Sequence, residues 1–142
     1  LTNKGSSIMK KTIIISFIIL STLIFASDKN VFSEMSLTEA QSISKIEGKP
    51  ILIKFHADWC HNCVKMDQTT FKDTQVQSVL EKFIPVKIDV DVASGITIAQ
   101  NFNISAIPVV ILLDESGKEI SRVVGYQSPK ELVRQLSQAN EK

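Results

Sequence analysis

The chain has 142 residues, 44% of them hydrophobic and 22% charged, with a formal net charge of +1. That length leaves room for one hydrophobic core, and the composition is that of an ordinary globular domain, which excludes a disordered chain and a multi-span membrane protein. Lys4, Lys10 and Lys11 are the only charged residues before Asp28, after which thirteen basic residues face fifteen acidic ones with no basic stripe between aromatics, so nucleic acid is excluded as a partner.

In chain order, Met9-Lys10-Lys11 precedes residues 12–27, sixteen positions without a charge and mostly Ile, Leu or Phe. A short basic stretch before an apolar run is the pattern of a secretory signal. Ala26 and Ser27 supply small residues for cleavage, whereas Ile24 or Phe25 at the −3 position departs from the small-residue rule and keeps an uncleaved N-terminal anchor as the alternative. Residues 1–27 are therefore read as signal peptide or anchor, with 1–8 upstream of a start at Met9, residues 28–35 as a linker, and 36–142 as the folded domain. Export matters chemically because disulfides persist outside the reducing cytosol.

Ser36-Leu37-Thr38-Glu39 is a capping box opening a helix with Ala40, Ile43 and Ile46 on its inner side, and Gly48 and Pro50 stop it. Residues 51–55 are short, apolar and rich in β-branched side chains, the signature of a buried strand. A helix is expected from Cys60 to about Thr70. Another begins at Thr74, capped by Asp73, with Val76, Val79 and Leu80 inward. Residues 83–89 form the next strand, with Pro85 near its start, and residues 95–102 a helix. Val109–Leu113 is an apolar strand, joined by the turn residues Asp114-Glu115-Ser116-Gly117 to a strand over 119–126. Ser128-Pro129-Lys130-Glu131 then opens a final helix. Strands alternating with helices and closing in a hairpin predict an α/β domain, one mixed sheet with helices on both faces.

The two cysteines, Cys60 and Cys63, stand two residues apart where a strand gives way to a helix. In a first helical turn this spacing brings the sulfurs near bonding distance and sets the leading one among unpaired amide donors at the positive end of the helix dipole, which favours a thiolate. Cys60 is thus the expected nucleophile, with a lowered pKa, and Cys63 the resolving thiol. Two other readings stay open. An inert stabilising disulfide is disfavoured because so short a loop constrains the unfolded chain little. A metal site built from His56, Cys60, His61 and Cys63 is disfavoured because a strand-borne His56 and adjacent Cys60 and His61 converge poorly on a tetrahedron.

Phe55-His56-Ala57-Asp58-Trp59-Cys60-His61-Asn62-Cys63 resembles the active-site segment of the thioredoxin superfamily. Together with Thr70-Phe71-Lys72-Asp73 and Gln75-Val76-Gln77, it is most similar to the C-terminal thioredoxin-like domain of the membrane thiol:disulfide interchange reductases, over about residues 36–140. The resemblance implies a thioredoxin-like fold, a central mixed sheet of about four strands flanked by helices. It also implies a cis bond between Ile107 and Pro108 beside the cysteines, with Ile107 and Pro108 in the groove that pairs with a substrate strand; an X-Pro bond taken alone favours trans.

One departure stands out. Where many thioredoxins carry a buried acid before the motif, this chain has Lys54, and Lys87 aligns with a lysine usually found near that acid. A lysine between Ile53 and Phe55 is expected to snorkel its ammonium to the surface; the sharper alternative places it close enough to favour a thiolate in the pair. Asp58 is read as solvated, with a proton carrier as the alternative. His61 either favours the Cys60 thiolate or is exposed without a role. Asn62 completes the dipeptide between the cysteines, and Trp59 is either a packed lid or a contact for partner proteins.

The expected function is protein thiol:disulfide exchange outside the cytoplasm, in the reductase direction, needing no cofactor beyond the redox-active pair itself and no metal. Expected partners are protein disulfides and, by the resemblance, a membrane electron donor that recharges a monomeric domain in the periplasm or an equivalent space. The alternatives are a thiol oxidase or isomerase of the same fold, and a non-catalytic metal-binding or chaperone module using the same thiols.

Overall fold

The computed structural model describes residues 30–33 and 35–139. The predicted signal or anchor falls outside the described residues, and among those that are described no helix is long and apolar enough to cross a membrane.

Helix α1 (Leu37–Glu47) starts where the Ser36 hydroxyl accepts the Glu39 N–H and stops at Gly48, whose φ of 65° is left-handed and whose N–H bonds to the Ser44 carbonyl. Its buried row is Ala40 and Ser44, with Ile43 half-buried. Ile46, expected inward, is 84% exposed. Six residues at 3.6 per turn carry it about 240° around the axis from Ala40, off the face that meets the sheet.

Strand β1 (Ile51–His56) is buried along its whole length because it pairs on both sides, parallel with β2 (Ile84–Asp89) and antiparallel with β3 (Val109–Leu113). Between β1 and β2 the chain crosses over through α2 (His61–Gln68), a 3₁₀ turn (Thr70–Lys72) and α3 (Thr74–Leu80). Helix α2 stops before the Thr70 that the sequence suggested. The Thr69 hydroxyl bonds back to the Lys65 carbonyl, and the Thr70 hydroxyl is drawn away to the Gln127 carbonyl at 2.6 Å. Asp73 caps α3 by accepting the N–H groups of Gln75 and Val76.

After β2 comes α4 (Ala93–Asn101), two residues earlier than expected. Gly95 sits inside it because an added Cβ would lie 1.7 Å from the Asp89 carbonyl oxygen, so the helix can approach the end of β2 only without a side chain there. The Ile107–Pro108 bond is cis. Strand β3 turns through Gly117 (φ 85°) into β4 (Glu119–Val124), and α5 (Pro129–Ala139) ends the described chain. The sheet order is β2-β1-β3-β4.

Side-chain alternation splits the core. Ile51, Ile53 and Phe55 face Ala40 of α1 and Ala99 of α4, whereas Leu52 shares the opposite layer with Met66, Phe71, Val76, Leu132 and Leu136. Lys54 and His56 follow Leu52 along that second face, toward the cysteines.

Candidate active site

Beyond the end of β1 the chain turns through Ala57-Asp58-Trp59 and enters α2 with Cys60 as N-cap, its backbone extended at φ −78° and ψ 99°. The Cys60 sulfur accepts the Cys63 N–H at 3.2 Å, and the two residues are joined as a disulfide. Ala57, Val90 and Ile107 pack around the pair, which leaves Cys60 6% exposed and Cys63 1%. A partner sulfur therefore reaches Cys60 more readily. The helix-capping amide already aimed at that sulfur would stabilise the negative charge it carries once the disulfide is opened.

The other residues singled out in the sequence divide into two groups. Pro108 is buried at the start of β3 and Ile107, half-buried, touches the disulfide. Asp58, Trp59, His61 and Asn62 are exposed around it. Trp59, at 71% exposure, is no packed lid; its indole N–H donates to an Asp91 carboxylate oxygen at 2.8 Å, which holds the ring out beside the pair. Among the described residues no group of three or more His, Cys, Asp or Glu side chains is placed to hold a metal ion.

Lys54 requires a correction. It does not snorkel: its side chain is 0% exposed, because β1 is flanked on both sides and α2 covers the face from which Lys54 projects. Its ammonium is ion-paired with Asp67 and lies 3.5 Å from the Cys63 carbonyl oxygen, with the Phe71 and Phe32 ring centres at 5.2 and 5.8 Å. The same Asp67 carboxylate accepts from Lys87 at 3.1 Å. Burial pulls the Lys54 pKa down against the opposing pull of Asp67. For Asp67, burial pushes upward but the two lysines outweigh it and hold the carboxyl below the usual carboxylate range. His56, beside them, is lowered by burial and then by Lys87 and Lys54, which keeps it neutral near pH 7.

Sequence reasoning missed Asp67 and Phe32. Asp67 stands four residues after Cys63, the spacing that puts two side chains on one face of a helix, and that signal was available. Phe32 lies in a segment read as linker, yet Ser33 bridges to Val86 at the outer edge of β2 and the Phe32 ring meets Phe71 edge-on at 4.9 Å. This strap, with His56, Asp67, Lys87 and Asp89, bounds a cleft of about 660 Å³ beside the ion cluster.

The family model for a thioredoxin-like domain matches residues 37–140. The thiol:disulfide interchange protein DsbD of Actinobacillus pleuropneumoniae is 32% identical over 108 residues, 72% of this chain and 18% of that protein. Its counterpart in Pseudoalteromonas atlantica is 36% identical over 84 residues, 56% of this chain and 14% of that protein, so the chain spans under a fifth of the length of these relatives. Among solved structures, a putative disulphide-isomerase from Bacteroides thetaiotaomicron superposes with a TM-score of 0.71 at 24% identity, covering 83% of this chain and 98% of that one. The oxidised C-terminal domain of Neisseria meningitidis DsbD gives 0.62 at 18% identity over 72% of this chain and 90% of that one. At these identities the superpositions speak for the fold.

Proposed function

The chain belongs to the thioredoxin-like thiol:disulfide oxidoreductase family, and from that premise we propose that it reduces protein disulfides outside the cytoplasm through the Cys60–Cys63 pair. The observation that carries the reading is the Cys60 sulfur at the head of α2, facing a backbone amide and backed by a second cysteine within bonding distance. In the reduced pair, the Cys60 thiolate attacks a substrate disulfide and displaces one substrate sulfur as a thiolate. The Cys63 thiolate then attacks Cys60, closing the pair and releasing the second substrate thiol, so two electrons pass to the substrate.

Ile107, against the disulfide, and the adjoining Pro108 form the edge on which an extended substrate segment docks, and Trp59 adds an exposed aromatic surface to the same rim. The apolar stretch after Met9-Lys10-Lys11 supports export, and an exported reductant needs a membrane electron donor to reopen its disulfide.

The test is the equilibrium of the pair against glutathione or dithiothreitol. A potential near about −270 mV is expected for a reductase, and one near about −120 mV would assign the opposite direction. In an insulin-reduction assay Cys60→Ser abolishes turnover, while Cys63→Ser accumulates a mixed disulfide on Cys60. One tight metal ion per chain without turnover would defeat the enzyme reading altogether.

A further inference from the structure

A lysine in the middle of a doubly paired strand carries a burial penalty that a leucine would avoid, so its surroundings show what holds it there. The Lys54 ammonium meets one carboxylate, Asp67, one carbonyl, that of Cys63, and the rings of Phe32 and Phe71. Its counterion is shared: Asp67 is bonded to Lys87 as well. Among the described residues, two ammonium groups are therefore bonded to the one Asp67 carboxylate beneath the first turns of α2, on the side where Cys63 and Asp67 project together. Among the described residues, the other ionisable groups at this cluster are His56 on β1, Asp89 on β2 and Lys72 on the 3₁₀ turn, all lining the cleft. Across β3 the partner of Lys54 is the apolar Val110.

We propose that Lys54, with Lys87 sharing its Asp67 carboxylate, is a positioning residue that sets an excess positive charge under Cys63 and so favours the thiolate of the resolving cysteine. This rests on the reading of Cys60–Cys63 as the exchanging pair. In the mixed disulfide, Cys63 loses its proton to solvent and its sulfur attacks Cys60. The Cys60–Cys63 bond forms as the Cys60–substrate bond breaks, and the departing substrate sulfur takes the electron pair and then a proton from solvent. A larger thiolate fraction at Cys63 shortens the life of the mixed disulfide. It also stabilises the reduced pair above the pKa of Cys63, making the couple less strongly reducing than the same pair over an uncharged residue.

The experiment uses the reduced full chain with isotope-labelled cysteines, following the titration of Cys63 by NMR in the parent and in Lys54→Met. The expected result is about tenfold less Cys63 thiolate in the variant at a given pH below the Cys63 pKa. Its equilibrium with glutathione should shift toward the disulfide by a similar factor, about 30 mV, at pH values above the Cys63 pKa. At pH 5, where Cys63 is protonated, the two potentials should coincide. Lys87→Met should move Cys63 the same way by about threefold. An unmoved or lowered Cys63 pKa in folded Lys54→Met, or a potential shift as large at pH 5 as at pH 9, overturns the proposal. If Lys54→Met does not fold, Lys87→Met decides, on a side chain that is one-third exposed, and an unchanged Cys63 pKa there overturns it equally. A parent potential near about −120 mV would instead overturn the reductase direction and leave this titration as informative as before.

Discussion

Two ion-pair clusters use the same chemistry in opposite surroundings. On α5, Arg134 grips both oxygens of Glu131, Gln135 adds a third donor, and Arg134 and then Gln135 push the Glu131 carboxyl down to about 2. Both partners are exposed, and solvent and salt screen the attraction, so the better hydrogen-bond geometry adds little to the fold. Beneath the cysteines, Asp67 serves two lysines, one of them wholly buried. There the stake lies in removal. A surface pair can be deleted almost unnoticed, whereas a buried ammonium stripped of its carboxylate loses the group that offsets its desolvation.

The largest effect should come from Asp67→Ala, which leaves Lys54, among the described residues, beside a carbonyl and two rings. A loss of about 3 kcal/mol, read as a lower urea midpoint, is expected. Lys54→Met should cost clearly less, since Asp67 keeps Lys87 and a third of its own surface in water. Equal losses in the two variants would erase the asymmetry between buried cation and half-exposed anion. Next, Phe32→Ala opens one wall of the lysine's enclosure. About 2 kcal/mol should be lost, below the usual range for a core phenylalanine because the strap can relax around the gap.

Acid provides a gentler probe. The folded-state pKa of Asp67 is depressed, so its contribution is full above the unfolded carboxyl value near 3.8 and is lost as pH falls through the lower folded value. Glu131, Glu119 and Asp114 shift in the same direction. The difference between parent and Asp67→Asn in urea midpoints from pH 7 to pH 2 isolates the carboxylate that pairs with the buried lysine, and it should narrow below about pH 4. Last, Glu131→Gln should leave the midpoint unchanged in 0.5 M salt. A clear loss there would mean that the surface cluster matters as much as the buried one.

The parts of this fold that sequence made legible are those fixed within a helical turn. The Ser36 and Asp73 caps, the Gly48 stop, the Gly117 turn and the cysteine pair at a strand-to-helix junction each depend on neighbours a few residues away. What escaped was long-range. Lys54 and Asp67 are 13 residues apart, Trp59 and Asp91 are 32 apart, and Phe32 reaches Phe71 only because the strap lies along β2. The general hydrophobic argument sent Lys54 toward water. It failed because a strand with partners on both sides and a helix above it offers a long side chain no exit.

The strap has a further consequence, for how copies of this molecule meet. An open sheet has two outer strands whose unpaired backbone groups invite a stranger's strand, and here these are β2 and β4. Ser33, bridged to Val86, occupies part of the first edge with the chain's own backbone. On the second edge, β4 is irregular at Ile120, which its pairing with Leu112 and Leu113 of β3 skips, and is guarded by the Glu119–Arg122 pair. The segment that walls in Lys54 therefore also stands at the sheet margin where edge-to-edge aggregation would otherwise begin.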